Sequence, residues 1–285
     1  MIVYIIYDKF IFKKFKKEAD GMIKEQISIE IIDKDGNIRE RDENSGHCEI
    51  VWYGSYEPGD VIKVTAKQDS FVRIQTDQLL YPASVYLKKG SFSFPVPFGR
   101  AKEAYPQEAF TGIIHQLSAM YTEKEGGHKL LSENPLDVRE ETGVYPHCTA
   151  TVETRGESVF AARNTIDGLF ITPGHGFYPY TSWGCGMDPD AHIDIFFGRE
   201  VLADEIHIFL RSDFPHDNHW VSGILSFSDE SFMEIQFEKT GKCQVFRPKA
   251  PVRTEWVRLG ALKKDPSDPS PFPALTQWRV FGREL

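Results

Sequence analysis

The sequence predicts an all-β chain built as two tandem β-sandwiches. Three observations lead there. From residue 26 onward, apolar and polar residues alternate at a period of two almost everywhere. Strand-length runs recur about every 8–14 residues, with Gly, Pro, Asn and Asp between them. No stretch of twelve or more residues holds a clean 3.6 period. A length of 285 residues suits two domains, because single domains run ~100–200 residues. It is also ample for a hydrophobic core without a metal or disulfide staple. The composition agrees: 41% hydrophobic and 26% charged is ordinary for a globular chain, and 13% aromatic with 22 Gly and 17 Pro favours strands and turns.

In chain order, residues 1–21 read as an extension, with Met22 as an alternative start. The apolar run Met1–Phe12 is broken by Asp8 and Lys9 and leads into Lys13, Lys14, Lys16 and Lys17. A secretory signal has its basic residues before the apolar run, and a bilayer span needs ~20 apolar residues. The expectation is a cytoplasmic chain with reduced thiols. Residues 22–131 form the first predicted domain. Ile27, Ile29 and Ile31 alternate with Ser28, Glu30 and Ile32, and Asp35-Gly36-Asn37 supplies a hairpin turn. Further strands are predicted over 48–53, 60–66, 70–76, 83–87, 91–96 and 112–122, separated by Glu57-Pro58-Gly59-Asp60, Lys89-Gly90 and Gly99. Ala101–Phe110 is the one short-helix candidate, limited by Pro106.

Residues 132–285 form the second predicted domain, after the break at Glu125-Gly126-Gly127-His128. His192, Asp194 and Phe196 oppose Ile193, Ile195 and Phe197; Ile206, Ile208 and Leu210 oppose His207, Phe209 and Arg211. Met233, Ile235 and Phe237 follow, then Val257 and Leu259. The chain closes with Thr276, Trp278 and Val280 on one face.

Charge and motifs exclude several functions. Thirty-three Lys and Arg against 42 Asp and Glu give a net charge of −9, a sign that repels phosphate backbones and disfavours nucleic-acid or anionic-membrane binding. Cys48, Cys148, Cys185 and Cys243 form no CxxC pair, which removes zinc ribbons and thioredoxin-type chemistry, and are too sparse for a disulfide scaffold. Gln236 stands where a phosphate loop ending in Gly241-Lys242 needs Gly. There is no GxSxG elbow and no HExxH helix. Asp33, Asp35 and Asn37 imitate half a calcium loop, but Ile38 and Asn44 replace its Gly and closing Glu, so the segment reads as a hairpin turn. Trp52, Tyr53 and Tyr56 read as core or rim packing rather than a groove. The Pro-rich Asp265–Pro273 segment reads as a stiff connection that delivers the final strand, in preference to a polyproline ligand.

The second domain carries a resemblance. Ala161-Ala162-Arg163-Asn164-Thr165-Ile166-Asp167-Gly168, followed by Thr181-Ser182-Trp183, resembles the "A-x-D-G … T-x-W" opening of discoidin-like domains. These are the coagulation factor five/eight type C modules, relatives of bacterial galactose-binding carbohydrate modules. Ala191–Gly198, Glu205–Arg211 and Gln277-Trp-Arg-Val-Phe-Gly282 resemble later strands of that family in the right order. The resemblance covers about residues 132–285 and implies a discoidin-like jelly roll whose loops carry function. It also implies a structural Ca²⁺ held by Asp167, Thr181 and the closing position, which is Gln277 here. An Asp-Gly turn capped by Asp167 is the metal-free alternative.

The resemblance further implies sugar recognition. Galactose-binding members use a His, an Arg and an Asn from loops at one end of the sandwich, plus an aromatic ring; Arg211 and Asn218 repeat the family's spacing, and His175 lies in the matching loop. Around them Asp213, His216 and His219 add acceptors and donors, and Tyr178 or Trp220 offers a ring for the apolar face of a pyranose. The expected function is therefore a non-catalytic carbohydrate-binding protein, its partner a glycan-like small molecule. Two alternatives stay open: a glycan-active or metal-dependent hydrolase using Asp213, His216 and His219, with Asp217 and Asp188 as further carboxylates, and an interaction module packed as a homo-oligomer.

Overall fold

The computed structural model describes residues 25–124, 126–170, 178–212 and 217–285. The chain is all-β. The first half carries β1 (Gln26–Ile32), β2 (Ile38–Ser45), β3 (His47–Trp52), β4 (Val61–Thr65), β5 (Ser70–Gln75), β6 (Ala83–Leu87), β7 (Ser91–Pro95) and β8 (His115–Tyr121). These form two sheets, ordered β2-β1-β4-β7 and β6-β5-β8-β3. The strand predicted for 26–32 is observed: Ile27, Ile29 and Ile31 are buried and share a core with Ile62, Val64, Phe92 and Phe94, while Ser28 and Glu30 between them are buried too. The Asp-Gly turn is built as expected. Asp33 Oδ1 accepts the backbone N–H groups of Asp35 and Asn37, and Gly36 takes the positive φ that the turn demands.

One expectation needs correction. Ala101–Phe110 is not a helix. A 3-10 turn runs from Gly99 to Ala104 and stops at Tyr105, which is extended because Pro106 disfavours helical angles in the residue before it. Strand β2, Ile-Arg-Glu-Arg-Asp-Glu-Asn-Ser, has no apolar alternation because it is an edge strand with both faces largely in water.

The second half carries β9 (Lys129–Leu130), β10 (Val144–Tyr145), β11 (His147–Ala150), β12 (Trp183–Gly184), β13 (Ile193–Arg211), β14 (Trp220–Phe227), β15 (Phe232–Gln236), β16 (Gln244–Phe246), β17 (Val252–Lys264) and β18 (Ala274–Glu284). All but β10 belong to one antiparallel system, with the path β12-β18-β13-β17-β14-β15. The 19-residue β13 organises it. β11 pairs with its first part, β16 and β18 with its second part, and β17 with both, the β17 register shifting between Phe196 and Val201. Gly198 sits in that break with φ +70, and a Cβ there would lie 2.2 Å from the Tyr145 ring. The corner lets one strand serve both layers around a core of Trp183, Ile193, Ile195, Ile206, Ile208, Leu259 and Trp278.

The halves are joined by more than the chain. β10 pairs with β6, and Leu136, Val138 and Val144 pack into the first core. Arg199 of β13 lies 4.9 Å from the rings of both Phe71 and Tyr86, and its Nε donates to Glu284 at 2.7 Å. Arg163 donates to the carbonyls of Asp137 and Pro135 while lying 4.8 Å from the Tyr105 ring. All four cysteines are free, three buried and Cys243 exposed. Among the described residues no helix is long and apolar enough to cross a membrane.

Candidate functional site at one end of the second sandwich

A cleft of about 510 Å³ opens where four segments meet. The 3-10 turns Thr154–Gly156 and Ser158–Phe160 form one wall, and the residues around β12 form the floor. The C-terminal end of β13 contributes Arg211, and Pro271–Ala274 leads into β18. Close packing at the floor depends on glycine. A Cβ on Gly184 would meet Thr154 Oγ1 at 2.4 Å, and one on Gly186 would meet Val152 at 2.7 Å. Gly186 N–H instead donates to Thr154 Oγ1 at 3.1 Å, which ties the floor to the wall.

Arg211 is nearly buried, and its guanidinium is fixed from several sides. Nη1 donates to the Tyr180 hydroxyl at 3.0 Å and the Ser182 hydroxyl at 3.2 Å, and Nη2 pairs with Asp217 at 3.3 Å. Phe160 lies between two cations, 5.9 Å from Arg211 and 5.4 Å from Arg155, and meets Tyr180 edge-on at 6.1 Å. Arg155 is exposed and holds Glu157 with Nε and Nη2 at 2.7 and 2.8 Å. At the mouth, Phe272 and Met187 are 46% and 62% exposed. Burial pushes the Cys185 thiol and the Tyr180 phenol above their usual pKa ranges, so both are protonated at neutral pH. The lining residues include two guanidinium groups and three aromatic rings, and among the described ones no carboxylate or imidazole.

Of the predicted ligand residues that the structure describes, Arg211 alone lines this cleft. Asn218 is a correction. Its amide is fully buried and committed: Nδ2 donates to the carbonyls of Ser270 at 2.6 Å, Asp268 at 3.2 Å and Asp265 at 3.3 Å, while Oδ1 accepts the His219 N–H. It anchors the Pro-rich segment that carries Phe272 rather than meeting a ligand. Trp220 is buried against Trp183, ring centroids 5.8 Å apart, so it is core. Tyr178 lines a separate, smaller cleft with Tyr81, Tyr105 and Asp167, and burial pushes its hydroxyl up to about 12. His219 is buried with Nδ1 4.0 Å from Asp265 Oδ2. Among the hydrolase carboxylates, Asp217 is fully buried against Arg211, and Asp188 caps its own loop through the Asp190 N–H. His175, Asp213 and His216 lie outside the described residues. Sequence reasoning missed Arg155, Phe160, Tyr180 and Phe272. Phe272, a large apolar residue inside a Pro-rich connection, was the one with a visible signal.

The three residues expected to hold calcium do converge, but not as a cation site. Gln277 Nε2 donates to Asp167 Oδ1 at 2.6 Å and to the Asn164 carbonyl at 2.7 Å. Its Oε1 accepts the Gly168 N–H at 3.2 Å, and Thr181 Oγ1 lies 3.5 Å from Asp167 Oδ2. An N–H group aimed at the two best oxygen donors repels a cation from the same spot, and a lone carboxylate is a weak donor set for Ca²⁺. The residues present do not fit the ion. Burial pushes the Asp167 carboxyl up to about 7, against the pull of Arg163. No cluster of three or more His, Cys, Asp or Glu suited to a metal occurs among the described residues.

No protein-family model matches the chain, and no curated protein matches it in sequence. Solved structures do match part of the chain. One is the family 32 carbohydrate-binding module of C. perfringens NanJ, in complex with galactose: 14% identical, covering 54% of this chain and 98% of that one, TM-score 0.39. Another is chitosan-binding module 1 of a Paenibacillus sp. IK-5 chitosanase/glucanase, at 15% identity, 54% and 99% coverage, TM-score 0.38. A Streptococcus pneumoniae fucose-binding module follows at 12% identity, 49% and 96% coverage, TM-score 0.36. Each of these matches spans about half of this chain and nearly all of the other.

Proposed function

We propose that the chain is a non-catalytic carbohydrate-binding protein that holds a sugar in the cleft between Phe160, Tyr180, Arg211 and Phe272. The observation that carries this reading is the combination of a half-exposed ring at the mouth with fixed guanidinium and hydroxyl groups behind it. A pyranose offers a face of C–H bonds that packs on an aromatic ring and a rim of hydroxyls that accept from Arg and exchange hydrogen bonds with Thr. A volume of about 510 Å³ lies in the range of small-molecule sites. Thr154 and Arg155 supply the polar wall, and Arg211 holds Tyr180 in place.

The test is glycan-array screening of the full chain, followed by calorimetric titration of the sugars that bind. Phe272→Ala should weaken binding about tenfold, a loss of ~1.4 kcal/mol, with little change in melting point because the ring is half in solvent. Arg155→Ala should weaken it as well. No bound glycan, or binding indifferent to both substitutions, would remove the proposal.

A further inference from the structure

We infer that Gln277 replaces a cation: its side-chain amide closes the Asp167 loop onto β18, and the fold needs no metal at this place. Three segments meet there, the 3-10 turn Ala162–Ile166 with Asp167, the residue Thr181 ahead of β12, and Gln277 of β18. Asn164, Asp167, Thr181 and Gln277 are all buried. The orientation of the amide follows from its surroundings. Reversing it would set Oε1 against Asp167 Oδ1 and the Asn164 carbonyl, oxygen facing two oxygens, and the NH₂ group against the Gly168 N–H. As placed, both donors and the acceptor of the amide are used, and Asp167 Oδ1 takes a further bond from the Leu169 N–H at 2.8 Å. The amide thus makes the cross-links from β18 to the loop that a divalent ion would otherwise supply, without an ion's requirement for several anionic oxygens.

The same geometry says what one change would do. Gln277→Glu keeps the length and replaces the N–H donor by an anionic oxygen. Two carboxylates and the Asn164 carbonyl would then face one another in a buried space with the Thr181 hydroxyl beside them, an oxygen cage suited to a hard cation. Thermal melting of the full chain in EDTA and in millimolar CaCl₂ reads this out. The wild-type melting point is expected to be the same in both. Gln277→Glu is expected to melt several degrees lower in EDTA and to recover in calcium. Gln277→Met, which removes both donor and acceptor, is expected to melt low in both conditions. A wild-type melting point that rises with calcium overturns the inference. So does a Gln277→Glu protein that melts like wild type in EDTA, or a Gln277→Met protein that calcium restores. Because the readout is melting, sugar binding does not enter the outcome.

Discussion

Replacing Asn218 tests whether its amide is scaffolding or a ligand contact. The amide has two hydrogens and three carbonyl neighbours, at 2.6, 3.2 and 3.3 Å, so Asn218→Ala removes one strong and one or two weaker buried bonds, plus the acceptor for the His219 N–H. At ~1 kcal/mol net per bond, with a further 1–3 kcal/mol where a group stays buried without a partner, the loss is about 3 kcal/mol. For a chain of this size that is a fall of roughly 6–12 °C in melting temperature. Asn218→Asp should be worse than Ala, because it sets a carboxylate against three carbonyl oxygens in a buried position. Differential scanning calorimetry of the three proteins at neutral pH is the assay. An alanine variant that melts like wild type, or an aspartate variant more stable than the alanine one, refutes the assignment of Asn218 as the anchor of the 265–270 segment.

Two further predictions concern stability. Burial alone would raise the Glu284 carboxyl, but hydrogen bonding and charge from Arg199, helped by Lys129, hold it below its ordinary 4.5. A depressed folded-state pKa means the stabilisation is present above about pH 4.5 and is lost as pH falls through the folded value. Glu284→Gln should therefore melt below wild type at pH 7, with the gap closing by pH 3; a gap independent of pH contradicts the pairing. Gly198→Ala combines a positive φ with a Cβ 2.2 Å from the Tyr145 ring, so urea unfolding should show a loss of about 2–4 kcal/mol. A loss under 1 kcal/mol would mean the β13 corner tolerates a side chain.

How far the sequence could be read follows from where the information lies. Strands with one face in the core announce themselves, because burial imposes the period of two on Ile27-Ile29-Ile31 or Ile206-Ile208-Leu210. β2 has no such face, so only the Asp-Gly turn before it marks the hairpin. Tyr105 shows the limit of reading a helix from composition, since one following Pro set its angles. The site is harder still. Arg211 is legible as a polar residue at a strand end, and Asp167, Thr181 and Gln277 as partners through the family resemblance. Whether Asn218 meets a ligand or a backbone depends on a segment some fifty residues away. Phe160 and Phe272 are brought together by two connections with no periodicity of their own. The difference between a cation and an amide at Gln277 is one atom, visible only once the oxygens around it have positions.

The most direct test of the central claim is amide chemical-shift mapping of the full chain as a bound sugar is titrated in. Perturbations should concentrate in 154–160, 180–187 and 271–274, the three segments that wall the cleft around Arg211. Perturbations gathered in the first sandwich, or at the small cleft of Tyr81, Tyr105 and Tyr178, would place the sugar elsewhere and contradict the account.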